Sequence, residues 1–103
     1  FGTIDILINT AGIGGRGIES AAQWDHLLAV HVRGTAFCIK EVTERVMIPK
    51  CYGKIVNVAS LCNHSGSGGM SAYCAAKAAI TQCSNCCTNR RTSWPRLPTS
   101  SIT

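Results

Sequence analysis

The sequence lacks any apolar run approaching the ~20 residues that a membrane-spanning helix needs, so we predict no membrane as a partner. Charged residues make up only 15% of its 103 residues and hydrophobic residues 46%, a composition that excludes an intrinsically disordered chain. Acidic residues are absent after Glu44, and the formal net charge is +5. No basic stripe interleaved with aromatic residues accompanies this charge, so we predict no nucleic-acid partner. The length allows one modest domain.

An initiator methionine and a charged-then-apolar leader are also lacking, because Phe1 leads at once into an apolar strand pattern. We therefore predict no secretory signal and expect a piece of a longer protein. Cysteine, by contrast, is abundant, but the count of seven is odd and most lie in apolar segments. This pattern favours reduced thiols in a cytoplasmic protein. The one C-x-x-C, Cys83–Cys86, has no second ligand pair at short spacing, so we predict no metal site.

Strands and helices alternate along the chain. Residues 4–9 are almost continuously apolar, which predicts a strand buried on both faces of a parallel sheet. Ser20 fits the N-cap of a long helix whose apolar residues continue at helical spacing to Met47. A β-branched run at 54–59 predicts the second strand, and an alanine-rich helix follows over residues 71–82. The βαβα order predicts an α/β fold with a right-handed crossover.

The pattern changes at Cys83, where helical periodicity stops and Pro, Ser and Thr become frequent. We recognise no third strand there. The sequence therefore predicts one structured domain over residues 1–82 and a disordered or aberrant tail over residues 83–103.

A glycine-rich loop follows the first strand. Residues 12–17 spell G-x-G-x-x-G, a spacing that lets the backbone approach a dinucleotide pyrophosphate at a helix N-terminus. Gly17, however, precedes Ile-Glu-Ser before a helix can begin, whereas the third glycine of that fingerprint lies within the helix. Two interpretations stay open: a pyrophosphate site or, as we favour, a flexible loop beside whatever binds in the crevice.

Tyr73 and Lys77 lie four residues apart, so a helix projects the phenol and the ammonium from one face. An ammonium close to a phenol stabilises the phenolate, which makes a tyrosine usable for proton transfer near neutral pH. Taken alone, the pair equally fits a surface lysine beside a half-buried tyrosine, because such i, i+4 pairs are common.

The order of these motifs resembles that of one family. The Asn-Thr-Ala-Gly segment at residues 9–12 ends one strand, Ser60 ends the next, and Tyr73 and Lys77 follow on the next helix. Over residues 1–82 the chain is similar to the short-chain dehydrogenase/reductase family. The resemblance implies the central βαβα portion of a doubly wound, Rossmann-like, dinucleotide-binding fold. It also implies hydride transfer between NAD or NADP and a small-molecule alcohol or carbonyl substrate.

The resemblance implies a role for each matching residue. Tyr73 is implied to be the general acid/base, and Lys77 is implied to assist it and to hold the nicotinamide ribose, so both also contact the cofactor. Ser60 is implied to hydrogen-bond the substrate oxygen, where negative charge develops. The other cofactor contacts are implied to lie at the end of the first strand, at Asn9, Ala11 and Gly12.

Two features depart from the family pattern. His31 stands where the family has an asparagine that holds a water in a proton relay, so His31 is a candidate catalytic residue through its own donor and acceptor. The family's N-terminal glycine motif, first three strands and last strands are not in this sequence. Two functions therefore stay open. The chain is part of an NAD(P)-dependent oxidoreductase that assembles as a homo-oligomer, or it is a catalytically inactive fragment or isoform that acts only as an interaction module.

Overall fold

The computed structural model describes residues 2–17, 20–88 and 99–102, with the backbone alone for 87–88 and 99–102. The elements follow in the order strand β1 (Ile6–Asn9), helix α1 (Ala21–Leu28), helix α2 (Gly34–Val42), strand β2 (Lys54–Val58), helix α3 (Ser71–Thr88) and strand β3 (Thr99–Ile102). A 3-10 turn at Leu61–Asn63 lies between β2 and α3.

The strands form one parallel sheet in the order β1-β2-β3. The register pairs Leu7 with Ile55 and Asn9 with Asn57. The predicted α/β fold with a parallel sheet is therefore confirmed. The prediction that no third strand follows is wrong, because β3 pairs with β2. Its sequence, Thr-Ser-Ser-Ile, contains a single apolar residue and so gives no hydrophobic pattern from which a strand could be predicted.

The long helical segment predicted after Ser20 is present, but it is not one regular α-helix. Ser20 caps it through a capping box, in which the Gln23 N–H donates to Ser20 Oγ at 3.2 Å and the Gln23 side chain accepts from the Ser20 N–H at 3.0 Å. π-helical turns follow α1 at Ala29–Arg33 and α2 at Thr43–Met47. A π-helical turn shifts the side chains after it around the helix axis. The first of these turns carries His31, which is buried.

Helix α3 continues beyond its predicted end near Gln82, to Thr88. Tertiary contact explains the extension, because Ser84 accepts a hydrogen bond from Asn57 and donates one to the Ile80 carbonyl. The segment lacks strong periodicity but is fixed by these bonds, so the predicted tail boundary at Cys83 is corrected. Residues 89–98 and 103 lie outside the described residues, and the disorder predicted for them stays a prediction.

One face of the sheet carries the hydrophobic core. Ile55 of β2 forms a buried cluster with Ile39 and Met47, and Leu7 packs against it. A second cluster joins α1 to α3 through three buried residues, Leu27, Ala72 and Ala76. The small alanine side chains let α3 approach the rest of the core closely, which explains the alanine-rich sequence of its first half.

The opposite face of β1 is exposed, which corrects the prediction that this strand is buried on both faces. Ile4, Ile6 and Ile8 are 40%, 55% and 59% exposed. Alternate residues of a strand point to opposite faces, and the core lies on the face of Leu7 and Ile55. The apolar run is thus continuous, but the described residues cover only one of its two faces.

A buried amide network joins the sheet to α3. Asn57 is 0% exposed, its Oδ1 accepts from Asn9 Nδ2 at 2.7 Å, and its Nδ2 donates to Ser84 Oγ at 2.8 Å. Buried polar groups require such partners. The network therefore fixes the register of the two strands at the end where both lead into the loops described below.

Asn57→Ala is expected to lower the free energy of unfolding by about 1–3 kcal/mol, because it removes both bonds and leaves the Asn9 amide without its acceptor. Urea unfolding of the chain measures the change. Lys54→Ala, on the exposed end of the same strand, is the control and is expected to change stability by less than about 0.5 kcal/mol. Equal stability of the two variants would contradict the network's role.

Candidate active site

A cleft of about 540 Å³ is lined by residues from the loops after β1 and β2 and from the first turns of α3. Five residues that the sequence singled out line it: Gly12, His31, Ser60, Tyr73 and Lys77. Asn9 and Ala11, the two other predicted cofactor contacts, are not among the lining residues, and Asn9 instead bonds to Asn57. In open α/β sheets, ligands bind outside the carboxyl ends of the strands. The cleft lies at that position.

Ser60 lies directly before the 3-10 turn, in an extended conformation. Its Oγ accepts a hydrogen bond from the Cys62 N–H at 3.3 Å. A hydroxyl that accepts in this way keeps its own proton for another acceptor. The turn therefore fixes the Ser60 oxygen and leaves its O–H group able to donate to a ligand in the cleft.

Lys77 lies one helical turn after Tyr73, with its Nζ 5.6 Å from the centroid of the Tyr73 ring. Its side chain is buried, and Nζ donates to the Val58 carbonyl at 3.0 Å. An ammonium has three donors, so two remain for other partners. Burial lowers the pKa of Lys77 from its usual value of 10.5, because desolvation disfavours the charged form.

The Lys77 ammonium is expected to titrate below 10.5 in the folded chain. Since folding disfavours the charged form, the energetic penalty is absent above 10.5, grows as the pH falls, and is complete below the folded pKa. Titration followed by the ¹³Cε NMR signal measures the midpoint, and Lys77→Met assigns the signal by its loss. A midpoint at or above 10.5 would contradict the burial of the ammonium.

His31 is 1% exposed and lies between the loop after β1 and helix α3. Its Nε2 lies 2.8 Å from the carbonyl oxygen and 3.0 Å from the amide nitrogen of Ile13. Its ring meets the Tyr73 ring edge to face, with centroids 5.4 Å apart and planes at 88°. Its Nδ1 is buried and has no partner among the residues that the structure describes. His31 is thus part of the wall of the cleft and of its support.

Two glycines of the loop after β1 are required by close packing. A Cβ on Gly12 would lie 2.5 Å from His31 Cε1, and a Cβ on Gly15 would lie 2.3 Å from Tyr73 Cβ. Gly14, between them, has nothing within 4 Å of such an atom. The loop lies in the wall of the cleft, as in the interpretation we favour, and packing accounts for two of its glycines.

Sequence reasoning missed Asn57 and the apolar residues of the cleft wall. Asn57 interrupts the β-branched run of the second strand, and this break was a usable signal of a buried polar contact. Ile13, Cys62 and Met70 line the cleft. They lie in irregular segments where no periodicity marks a buried or lining residue.

Further findings concern metals, thiols and membranes. Within residues 2–17, 20–88 and 99–102, no three His, Cys, Asp or Glu side chains lie together as metal ligands. The six cysteines with described side chains are all free thiols. No helix in the described part of the chain has the length and apolar character needed to cross a membrane.

The chain is similar to known proteins over most of its length. The family model for short chain dehydrogenases matches residues 1–93. Gluconate 5-dehydrogenase of Gluconobacter oxydans is 38% identical over 98 residues, which cover 92% of this chain and 37% of that protein. The chain spans about a third of the length of the curated relatives that it matches.

Solved structures show the same similarity. A short-chain dehydrogenase from Streptomyces avermitilis matches with a TM-score of 0.80 and 26% identity, covering 97% of this chain and 37% of that one. An NAD⁺-bound xylitol dehydrogenase matches with a TM-score of 0.73 and 34% identity, covering 82% and 34%.

The family match continues past the predicted limit at residue 82, so the segment that begins at Cys83 is less foreign to the family than its composition indicates. The parallel sheet, the placement of the cleft and the match over residues 1–93 all agree with the resemblance found in the motifs. The chain belongs to the short-chain dehydrogenase/reductase family.

Proposed function

We propose that this chain carries the acid/base centre of an oxidoreductase that interconverts a small alcohol and its carbonyl compound with NAD or NADP. The observation that carries the proposal is that Ser60, Tyr73 and Lys77, which are distant in sequence from the first loop, line one cleft together with it. The names of the similar proteins, gluconate 5-dehydrogenase and xylitol dehydrogenase, describe dehydrogenases. They support the reaction class.

The lining of the cleft fits the nicotinamide ribose. Lys77 spends one donor on the Val58 carbonyl and has two left for ribose hydroxyls. Gly12 and Gly14 have no side chains to obstruct a flat ring. When bound, the nicotinamide ring supplies or accepts the hydride. The buried Nδ1 of His31 is a further polar atom that a group in the cleft can satisfy.

The side chains divide the remaining chemistry. Ser60 donates its free O–H to the substrate oxygen, where negative charge develops during reduction. Tyr73 then gives its phenolic proton to that oxygen, and in the oxidation direction it takes the proton back. Lys77 stabilises the phenolate that results, and its burial strengthens this effect because the local dielectric is low.

The substrate class and the surroundings of the enzyme are also proposed. The substrate is a small-molecule alcohol or carbonyl compound, and the protein that carries this chain is a homo-oligomer in the cytoplasm. Neither a nucleic acid nor a membrane is a partner in this proposal.

One observation favours a second function, that of an interaction module without catalysis. The exposed face of β1 presents Ile4, Ile6 and Ile8 side by side at an edge of the sheet. Unpaired apolar strands of this kind favour association. Under this proposal the chain binds neither NADH nor NADPH tightly, and sedimentation shows concentration-dependent association that Ile6→Lys abolishes. A monomer at all concentrations would contradict it.

An NMR titration of the chain with NADH and NADPH tests the catalytic proposal. The amide signals of Ser60, Tyr73 and Lys77 are expected to shift together, and Lys77→Met is expected to remove most of the shift. Lys40→Met is the matched control, because Lys40 is exposed and paired with Glu44 on α2 and the adjoining turn. Shifts that are unchanged in Lys77→Met, or that occur only elsewhere in the chain, would contradict the proposal.

A further inference from the structure

We propose that His31 is a positioning residue that fastens the loop at residues 12–15, here called the glycine loop, to helix α3 beside Tyr73. The fastening itself depends on this chain's own contacts. Its effect on turnover rests on the proposed function. The structure carries the proposal through three contacts that together form a closed circuit around the cleft wall.

The first contact joins His31 to the backbone of the glycine loop. Nε2 lies within hydrogen-bond distance of both polar backbone atoms of Ile13, at 2.8 Å from the oxygen and 3.0 Å from the nitrogen. The imidazole comes from the π-helical turn at Ala29–Arg33 and is almost completely buried. A buried hydrogen bond to a loop backbone restricts the loop at that point.

The second contact joins His31 to the general acid/base. The two rings meet edge to face at 5.4 Å, an arrangement that aromatic pairs favour. Tyr73 has only two side-chain torsions, so a neighbour against its ring restricts where its hydroxyl lies. His31 therefore acts on the reacting oxygen through Tyr73 and does not need to touch the substrate.

The third set of contacts lies at the two ends of the glycine loop. Gly12 lies against the His31 ring and Gly15 against the base of the Tyr73 side chain, each too close for a methyl group. The loop thus clasps the two stacked rings, one at each end. Because Gly14 between them faces open space, close approach is confined to the positions that touch the rings.

Three substitutions at His31 separate the fastening from mere filling of space. The amide of His31→Gln ends at the position of Nε2 and can still bond to Ile13. The amide of His31→Asn ends one atom short of it. His31→Phe keeps a ring against Tyr73 but removes both polar contacts.

Hydrogen exchange of the Ile13 amide, measured by NMR on the full 103-residue chain, is the readout. Exchange is expected to be roughly five-fold faster in His31→Asn and His31→Phe than in the wild type, the effect of losing one hydrogen bond, and to be restored in His31→Gln. Equal exchange in the wild type and His31→Asn, or no restoration by Gln, would overturn the proposal.

A variant on the loop side keeps the test decisive if a His31 variant fails to fold. Gly12→Ala is expected to displace the imidazole and speed the exchange of Ile13, whereas Gly14→Ala is expected to leave that exchange unchanged. Equal effects of the two would overturn the proposal.

Turnover supplies an independent readout in the protein that carries this chain. His31→Asn is expected to lower kcat roughly ten-fold with little change in KM, and His31→Gln to recover most of it. If Ile13 exchange changes as expected but the wild type has no turnover, the fastening stands and the proposed function fails. If exchange does not change, the fastening fails whatever the turnover.

Discussion

Tyr73→Phe is expected to lower turnover by at least about 100-fold in the protein that carries this chain. The substitution removes the phenolic proton and keeps the ring that packs edge to face against His31. Helix α3 and the clasp of the glycine loop are therefore expected to persist. Steady-state oxidation of NADH or NADPH with a neutral ketone or aldehyde measures the loss.

Tyr52→Phe is the matched control, since it makes the same chemical change at a tyrosine that is 48% exposed and lies outside the cleft. It is expected to leave turnover within a factor of about two, because a surface substitution away from the site perturbs little. Turnover of Tyr73→Phe equal to that of Tyr52→Phe would show that Tyr73 is not the proton donor.

Gly15→Ala is expected to lower the free energy of unfolding by about 1–3 kcal/mol, the usual cost of overpacking. The added Cβ would lie 2.3 Å from Tyr73 Cβ and 3.2 Å from Leu27 Cδ1. The Tyr73 Cβ is attached directly to the backbone of α3 and cannot rotate away, so the loop or the helix must move. Urea unfolding measures the change in stability.

Gly14→Ala is the control for that measurement, because a Cβ there meets nothing within 4 Å. It is expected to change the free energy of unfolding by less than about 0.5 kcal/mol. If the two alanine variants are equally stable, the glycine loop does not approach Tyr73 as closely as described.

The alternation of strands and helices was predictable because each element has a local signal. Residues 54–59 are β-branched, and the helical segment after Ser20 has regular apolar spacing and a capping residue. The family motifs likewise pointed to Ser60, Tyr73 and Lys77 before any coordinates were considered. Local pattern and motif order were sufficient for the fold class and for the residues that line the cleft.

What could not be predicted depends on contacts between distant segments. Thr99–Ile102 becomes a strand through pairing with β2, and α3 reaches Thr88 with the help of Asn57, which bonds to Ser84. The burial of His31 requires a π-helical turn that no spacing rule indicates. The exposed face of β1 shows the converse limit, since an apolar run specifies a buried strand but not what covers it.

Transfer of a labelled hydride tests the central claim most directly. The protein that carries this chain is incubated with a neutral ketone and with NADH or NADPH deuterated at the transferred position of the nicotinamide ring. The account predicts that deuterium appears on the carbinol carbon of the product alcohol, and that Tyr73→Phe lowers the amount formed without changing the position of the label. Alcohol formed without deuterium at that carbon, or no consumption of either reduced cofactor across a panel of neutral ketones and aldehydes, would contradict it.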